Sequence, residues 1–281
     1  MTAQLIHGEP WGDYTKSFAL GSSALHAWRT MGLARWSHEF LETEPYRDGE
    51  TGNGCASKEG GDYLDALVTG NKPLDKFAVK PAGMKFSTKD GIAWRDARNE
   101  EGSTIITADQ QVEAKAAYPL VKEALGILSR GSEIRYQATL RGEIAGVQVQ
   151  TRPDFWIETP ESVIIPDLKY VGQIDKFERD LVGSRYEIQV ALGVHLARES
   201  GITKPIEFWF ILAESGTTMP RILCEEVAPI DAANMIRRLH ERCEDIAAVR
   251  ASENGFVDAV EYRRIDLPGY AVRKLDGGFR G

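Results

Sequence analysis

The sequence has few cysteines and no long apolar run. Its three cysteines, Cys55, Cys224 and Cys243, are odd in number and far apart in a chain of 281 residues. This spacing excludes a disulfide framework and a CxxC-type zinc site, and it favours a reducing compartment. No apolar run approaches the roughly 20 residues that cross a bilayer, and the first residues lack the basic and apolar regions of a signal peptide. We therefore expect a cytoplasmic protein that has no membrane partner.

Positive charge is also scarce. There are 34 Lys and Arg residues against 42 Asp and Glu residues, so the formal net charge is −8. A chain this acidic does not coat nucleic acid with its whole surface, although a narrow basic channel is still compatible with the composition. With 42% hydrophobic and 27% charged residues, the chain is an ordinary globular one, so wholesale disorder is excluded.

The pattern along the chain predicts a single domain over residues 1–281 with three parts. Residues 1–130 are expected to be mainly helical, residues 131–228 to hold the sheet and one helix, and residues 229–281 to form a last helix and a tail. Strands are expected at 133–140, 144–151, 154–158, 163–170, 206–213 and 221–227. Helices are expected at 62–68, 107–128, 175–199 and 229–252, after a Gly-rich loop at 47–61, and Pro119 is expected to kink or split its helix. The fold class is therefore α/β or α+β, with a central mixed β-sheet flanked by helices.

One predicted hairpin brings acidic residues together. Its turn is Thr159–Ser162, with Pro160 at the second position, where the fixed φ of proline is favoured. Counting outward from this turn places Asp154 opposite Asp167, and residues opposite each other on antiparallel strands have Cβ atoms about 4.5–5.5 Å apart. Lys169 follows Asp167 by two residues, so it projects from the same face of the strand. The sequence thus predicts two acids and a lysine that converge on one point.

This combination of residue types is typical of a metal site. Two carboxylates and a backbone carbonyl offer the hard oxygen ligands that suit Mg²⁺ or Mn²⁺. A lysine beside a metal-bound water can orient that water or help to deprotonate it. The alternative is two exposed acids near a turn and a solvated lysine. The apolar neighbours of the acids on both strands favour a buried hairpin and hence the metal site, whereas Pro166 indicates a bulge or an edge.

At these residues the chain resembles the PD-(D/E)xK nucleases, and among them the RecE-like and lambda-exonuclease-like enzymes of phages and prophages. The matching residues are Pro153-Asp154, then Asp167-Leu168-Lys169, then Arg185-Tyr186-Glu187-Ile188-Gln189 on the following helix. The resemblance extends over about residues 22–227 and is strongest over 152–189. It implies the restriction-endonuclease-like core of that superfamily.

The resemblance assigns roles to the residues of the hairpin and its surroundings. Asp154 and Asp167 would be metal ligands, the Leu168 carbonyl a further ligand, and Lys169 the residue that activates or orients water. Glu133 matches an upstream acid that such nucleases place near the metals, although an ordinary acid at the end of a strand is an equal alternative.

Two residues of the following helix would support this centre. Tyr186 and Gln189 are three apart and share a helical face, so they would support Lys169 or contact the DNA backbone. Packing in the core is an alternative explanation for Tyr186, but it explains a glutamine among apolar residues less well.

The chain departs from the family pattern at two positions. Gly193 stands where the family often has a tyrosine, four residues after Gln189. Asp65 stands four residues after Gly61, where the family has a histidine that reaches a second metal. A carboxylate also ligates Mg²⁺, so Asp65 is a candidate ligand, and a solvated helix residue is the alternative.

Basic side chains are candidates for contacts with DNA phosphates. Residues 22–29 are expected to begin a first helix with Ser22 as its N-cap, and Arg29 lies on it, where lambda-type enzymes keep a basic residue for the 5′-phosphate. Arg179 and Arg185 flank the helix of Tyr186 and Gln189. Four further lysines lie in a polar stretch that is expected to be a solvated loop, with contact to DNA as the alternative: Lys76, Lys80, Lys85 and Lys89.

The resemblance implies a Mg²⁺-dependent deoxyribonuclease, with Mn²⁺ as a substitute, that digests double-stranded DNA from its ends in the 5′→3′ direction during phage-type recombination. It further implies a ring-shaped homo-oligomer, a trimer or tetramer, that works with a single-strand annealing protein in a bacterial host cell. The alternatives are a PD-(D/E)xK endonuclease, a Cas4-like nuclease, or a DNA-end-binding protein without catalysis. The iron–sulfur form of a Cas4-like enzyme is disfavoured because three scattered cysteines cannot supply four ligands.

Overall fold

The computed structural model of the chain describes residues 3–42, 56–252 and Gly255. Its α-helices are α1 (Trp11–Thr15), α2 (Ser22–Ala27), α3 (Leu33–Ser37), α4 (Ala56–Thr69), α5 (Lys89–Glu100), α6 (Ala108–Ser129), α7 (Phe177–Leu181), α8 (Arg185–Glu199) and α9 (Pro229–Ala251). Its strands are β1 (Gln4–Ile6), β2 (Phe77–Val79), β3 (Thr104–Ile106), β4 (Ile134–Tyr136), β5 (Thr139–Ile144), β6 (Val147–Thr151), β7 (Phe155–Glu158), β8 (Val163–Val171), β9 (Ile206–Glu214) and β10 (Ile222–Glu226). In these parts of the chain, every helix is too short or too polar to cross a membrane.

A five-stranded mixed sheet forms the centre of the fold. The strand order is β10-β9-β8-β7-β4. Strands β8 and β9 run parallel, and the other neighbours are antiparallel. Both central strands are mostly buried, as expected for parallel strands that are covered on both faces. The predicted α+β class with a central mixed sheet flanked by helices is confirmed.

The hydrophobic core has two parts, one on each face of this sheet. On one face, Ile165 and Phe210 belong to a cluster that includes buried residues of α8, α9 and α2. On the other face, Ile164 and Ile211 belong to a cluster with residues of α4 and α6. Because side chains alternate along β8, Asp167 projects toward the α8 side and Leu168 toward the side of α4 and α6.

The predicted strand 133–140 is wrong, because the chain changes sheets in its middle. β4 pairs with β7 in the central sheet, whereas β5 pairs with β1 and β6 in a separate three-stranded sheet. Gln137 makes the break with a φ of 54°, and its backbone N–H donates to the Asp154 carbonyl at 3.0 Å. A bend of this kind leaves no signal in the alternation of apolar and polar residues.

Two other predictions about helix boundaries are corrected. α6 runs through Pro119 as one helix. Proline has no N–H, so the carbonyl of Lys115 loses its helical hydrogen bond. Pro119 and Lys115 are both exposed, so water can donate to this carbonyl instead. The predicted helix 175–199 is broken instead between α7 and α8, where Gly183 has a φ of 79° and Ser184 caps α8.

The loop predicted at residues 47–61 is helical from Ala56 onward, while residues 47–55 and the tail beyond Gly255 lie outside the described residues. Two of the glycines that suggested a loop, Gly60 and Gly61, lie in α4 at its contact with β8. A Cβ on Gly60 would lie 3.1 Å from Tyr170 Cε1, and a Cβ on Gly61 would lie 3.3 Å from Tyr170 Cβ. These glycines therefore let α4 pack closely on β8.

Candidate active site

The hairpin between β7 and β8 has the predicted turn and register. The N–H of Thr159 donates to the Ser162 carbonyl at 2.9 Å, and the Ser162 N–H donates to Thr159 Oγ1 at 2.9 Å. Glu158 pairs with Val163, and the ladder ends at the next pair. Pro166, which has no N–H to donate, lies beyond the end of the ladder with β7 and pairs with Trp209 of β9, so β8 has a local edge on its β7 side here.

Asp154 contacts β8 through its side chain. It precedes β7, and its Oδ2 accepts the backbone N–H of Leu168 at 2.9 Å. The expectation that Asp154 and Asp167 form a ladder pair is therefore wrong, but their charges do interact. Burial raises the pKa of Asp154 well above its usual value, and the neighbouring carboxylates of Asp167 and Asp65 raise it further.

Asp167 and Lys169 form a buried ion pair, in agreement with the prediction that both project from one face of β8. Asp167 is only 4% exposed, and Lys169 Nζ contacts its Oδ2. Burial alone lowers the pKa of Lys169, but the carboxylates of Asp167 and Asp154 outweigh burial and raise it above its usual value. Lys169 is therefore an ammonium group in this state.

Asp65 is the third carboxylate of this group, and it comes from α4. Burial raises its pKa to about 6, Asp62 and Asp167 add to the rise, and the hydrogen bond that Asn71 donates to Oδ2 opposes it. Its Oδ1 is buried and has no hydrogen-bond partner among the described residues. The structure thus brings Asp65 to the site, as the resemblance implied.

The position of Asp65 follows from the packing of α4 on β8. Gly61 touches Tyr170, and Asp65 lies one helical turn further along the same face of the helix. Tyr170 directly follows Lys169, so the close approach at the glycine places Asp65 beside the ion pair. At the other end of the Tyr170 side chain, Glu113 of α6 accepts hydrogen bonds from the Tyr170 hydroxyl at 3.3 Å and from the Gly216 N–H at 3.0 Å.

Tyr186 and Gln189 project from α8, which covers the opposite side of the site. Lys169 Nζ lies 4.9 Å from the centroid of the Tyr186 ring, and that ring stacks on Phe177 at 5.6 Å. The ring can therefore stabilise the ammonium group by a cation–π interaction. Gln189 Oε1 is buried and lacks a hydrogen-bond partner within the described residues, so it is available to a ligand.

Gly193, where the family often has a tyrosine, packs against β9. A Cβ at this position would lie 3.1 Å from Cε2 of Phe208, which is 2% exposed. The backbone of α8 approaches the sheet so closely here that a larger side chain has no room. This close contact accounts for a glycine at position 193.

Glu133 is not at the site. Its side chain is 75% exposed and pairs with Arg135, with 3.1 Å between Oε2 and Nε. The next residue, Ile134, pairs with Ile157 near the turn of the hairpin. Because β4 runs antiparallel to β7, its first residues lie near the turn and away from Asp154. The alternative of an ordinary acid at the end of a strand is correct for Glu133.

The three predicted arginines differ in their distance from the site. Arg185 is exposed at the start of α8, and its Cζ lies 5.5 Å from the Tyr186 ring centroid, so it borders the site. Arg29 is exposed just after α2. Arg179 is 72% exposed and contacts Asp180 at 3.4 Å, and no described contact joins it to the acids.

Sequence reasoning missed a fourth arginine, Arg242 of α9. It is 9% exposed, and its Nη1 donates to the Leu25 carbonyl at 2.9 Å. Burial lowers its pKa, and the charge of Arg29 lowers it further. His26 also has a lowered pKa, through burial and then through Arg242 and Arg185. His26, Arg29, Arg185 and Arg242 thus form a basic region beside α8. Because they are far apart in sequence, no local motif indicated this region.

The residue types gathered here are those that suit a divalent cation. Three carboxylates share one buried lysine, so the group has an excess of negative charge, and Asp65 Oδ1 offers an unused oxygen. Carboxylate and carbonyl oxygens are the ligands that Mg²⁺ and Mn²⁺ prefer. Among the described residues, no three His, Cys, Asp or Glu side chains are placed so that they could hold a metal ion together. The ammonium of Lys169 instead neutralises Asp167.

Comparisons with known proteins show the fold. No family model and no curated protein sequence matches the chain. A solved structure, the "Putative exonuclease" from Eubacterium rectale, is similar with a TM-score of 0.58 at 13% identity, over 98% of this chain and 99% of that chain. A second structure, SSO0001, reaches a TM-score of 0.31 at 13% identity over 57% of this chain and 72% of that chain, which carries no argument. The chain therefore shares the overall fold of the first structure.

Proposed function

We propose that the protein is a metal-dependent deoxyribonuclease, and most specifically an exonuclease that digests double-stranded DNA from its ends in the 5′→3′ direction. The observation that carries the proposal is the convergence of Asp65, Asp154, Asp167 and Lys169 from α4, β7 and β8. The shared fold with a structure described as a "Putative exonuclease" over nearly the whole of both chains supports it.

In this proposal, Asp65, Asp154 and Asp167 would hold Mg²⁺, or Mn²⁺ in its place, together with the Leu168 carbonyl. When bound, such a cation polarises a phosphoryl oxygen and lowers the pKa of a coordinated water. Two of these carboxylates, those of Asp154 and Asp65, already accept hydrogen bonds from the protein. The Leu168 N–H holds one carboxylate and the Asn71 amide holds the other.

Lys169 would orient the attacking water. In the metal-free protein, Asp167 and Asp154 raise its pKa, so there it carries its proton and can donate a hydrogen bond. Tyr186 covers the ammonium group and Asp167 pairs with it, which together hold the lysine in one position. The Gln189 oxygen would accept a hydrogen bond from this water or from Lys169.

The basic region beside α8 would bind the phosphates of the DNA. Arg185 borders the site, and Arg29 is exposed just after α2, whereas Arg242 is buried and adds its charge from behind them. Phosphate contacts of this kind fix the register of a duplex without reading its sequence. A ring-shaped homo-oligomer and a single-strand annealing partner, both implied by the family resemblance, belong to the proposal as further predictions.

The test uses end-labelled linear duplex DNA and closed circular duplex DNA, with Mg²⁺ or with EDTA. We expect the linear DNA to be degraded from its 5′ ends with Mg²⁺ only, and the circle to stay intact. Cleavage of the circle would contradict the exonuclease and indicate an endonuclease. Binding of DNA ends without degradation in Mg²⁺ or Mn²⁺ would contradict catalysis altogether.

A further inference from the structure

A second surface of the molecule has the opposite charge to the candidate active site. Residues 72–89 hold five lysines and one acid, Asp75, which gives this stretch a net charge of +4 in a chain of −8. It belongs to a small unit, residues 72–106, that contains β2, α5 and the parallel strand β3. We call this the lysine unit. The whole unit holds seven Lys and Arg residues against five Asp and Glu residues, a net charge of +2. Its arginines Arg95 and Arg98 pair with Asp96 and Glu101, so the lysines carry the excess.

One of these lysines, Lys80, lies beside a short row of two aromatic rings. Lys80 Nζ lies 4.7 Å from the centroid of the Phe86 ring, and Phe86 stacks on Trp94 with the centroids 6.3 Å apart and the planes 15° apart. Arg98 Cζ lies 5.9 Å from the Trp94 centroid. Both rings are partly exposed, and neither belongs to the two clusters of the core. The row is therefore a surface feature.

The loop that carries Phe86 is folded back on the start of α5 in a defined way. Thr88 caps the helix, since its Oγ1 accepts the Gly91 N–H at 3.2 Å, and the Thr88 N–H donates to the Lys85 carbonyl at 3.1 Å. A Cβ on Gly91 would lie 2.0 Å from that carbonyl oxygen, so only glycine permits the fold-back. This capped turn holds Phe86 against Trp94, so the stretch is an ordered turn, and Lys85 and Lys89 on it are exposed, as expected for a solvated loop.

The lysine unit is joined directly to the candidate active site. Asn71, which donates to Asp65, is followed by Lys72, the first residue of the unit. Lys72 Nζ donates to Thr104 Oγ1 of β3 and lies 4.9 Å from the Phe77 ring of β2. This lysine therefore fixes the two strands of the unit to the end of α4, the helix that carries Asp65.

We propose that the lysine unit binds single-stranded DNA, with its lysines on the phosphates and the Phe86–Trp94 stack under the bases. Lysine pairs with phosphate as a point charge, irrespective of sequence. Exposed aromatic faces act on single strands, because a duplex keeps its bases stacked on one another. The proposal rests on the proposed function for the source of the strand, since digestion of one strand of a duplex leaves the other single.

The test measures binding of fluorescein-labelled (dT)20 and of a 20-base-pair duplex by fluorescence anisotropy in EDTA. We expect Phe86→Ala and Trp94→Ala each to weaken (dT)20 binding about fivefold or more, the loss of one stacked base. Duplex binding should change less than twofold. Tyr136→Ala is the matched aromatic control, because Tyr136 of β4 is exposed and lies beside Lys122 of α6. This variant should leave both affinities unchanged.

The exposed lysines give a second measurement that does not depend on the aromatic packing. Lys85→Gln and Lys89→Gln should each lower the slope of log K against log salt for (dT)20 by about 0.7, the value for one phosphate contact on a single strand. Lys115→Gln, an exposed lysine of α6, is the control and should leave the slope unchanged.

Three outcomes would overturn the proposal. The first is that the wild-type protein does not bind (dT)20, and the second is that the lysine variants keep the wild-type salt slope. The third is that the aromatic variants weaken binding of the duplex as much as binding of (dT)20, which would identify a duplex-binding surface. Trp94→Phe keeps a ring and should retain at least half of the wild-type affinity if Trp94→Ala acts through stacking rather than through unfolding. Binding in EDTA needs no catalysis, so a protein that binds (dT)20 here but never degrades DNA contradicts only the proposed function.

Discussion

The candidate active site and the lysine unit lie at the same end of α4, but they use charge in opposite ways. The site gathers Asp65, Asp154 and Asp167 around one lysine, and Asp167 is almost wholly buried. The lysine unit places its excess of lysines on the surface around two partly exposed rings. The acids come from segments about 90 residues apart in sequence, whereas the lysine unit is nearly continuous.

The contrast shows what each kind of task requires. Carboxylates that repel one another in a poorly solvated place are held there only by packing from several elements, and they gain most from a bound cation. Exposed lysines remain hydrated until they contact the phosphates of DNA, so they need no packing to hold them in place. One continuous, exposed segment is therefore sufficient to carry them. The two regions should therefore respond to substitution in different ways.

The largest effect is expected at Asp167. Asp167→Asn removes the carboxylate that pairs with Lys169 and should lower the rate of DNA degradation by about 1,000-fold or more, in the range of essential catalytic groups, while DNA binding in EDTA is kept. Glu133→Gln, an acid implied by the family resemblance but exposed beside Arg135, is the control and should keep at least half of the activity. Equal losses in both variants, measured on end-labelled DNA, would contradict the assignment of the site.

A smaller effect is expected at Asp65. Asp65→Asn should raise the Mg²⁺ concentration for half-maximal activity by about 10- to 100-fold, the range for groups that support a metal centre. A Mg²⁺ titration at saturating DNA measures this change. Lys85→Gln, which alters an exposed side chain of the lysine unit, should leave the Mg²⁺ requirement unchanged. A shift in Lys85→Gln as large as that in Asp65→Asn would remove the distinction between the two regions.

The packing that holds the site can be tested at Gly193. Gly193→Ala would gain helix propensity, about 1 kcal/mol at most, but its Cβ would press on the buried ring of Phe208 at 3.1 Å. Overpacking of this kind costs about 1–3 kcal/mol, so we expect a net destabilisation. Gly126→Ala in α6, with no atom within 4 Å of the new Cβ, should stabilise by about 0.5–1 kcal/mol. Urea unfolding measures both values, and a stabilised Gly193→Ala would contradict the close packing.

His195 of α8 shows what burial does to a base that lacks a strong acidic partner. Burial lowers its pKa from the usual 6.5, and His240 and Arg198 lower it further, against a smaller opposing effect of Glu199. The unfolded chain then binds the proton more tightly, so this group's contribution is present above about pH 6.5 and decreases as the pH falls below it.

The expected result is a stability that declines between pH 7.5 and pH 5.5, with at most about 1.4 kcal/mol per pH unit from this one proton. Urea unfolding of His195→Gln should show a weaker decline. His7→Gln, an exposed histidine near the N-terminus, is the control. An unchanged pH profile in His195→Gln would mean that this histidine is not the group responsible.

The sequence allowed the prediction of structure where one local pattern decided it. The turn Thr159–Ser162, the pairing of Ile157 with Ile164, and the shared face of Asp167 and Lys169 are all confirmed. The break at Gln137 and the fold-back at Gly91 were missed. The first depends on a change of sheet partner, and the second depends on the contact of a glycine with a carbonyl.

By itself, then, the sequence determined a hairpin that carries two acids and a lysine, because turn chemistry and a two-residue period act over a few neighbouring residues. Only the tertiary structure decided which other groups join them. Close packing of Gly61 on Tyr170 brings Asp65 to the site, and the antiparallel direction of β4 takes Glu133 away from it. Such choices depend on contacts between distant segments, which no local pattern encodes.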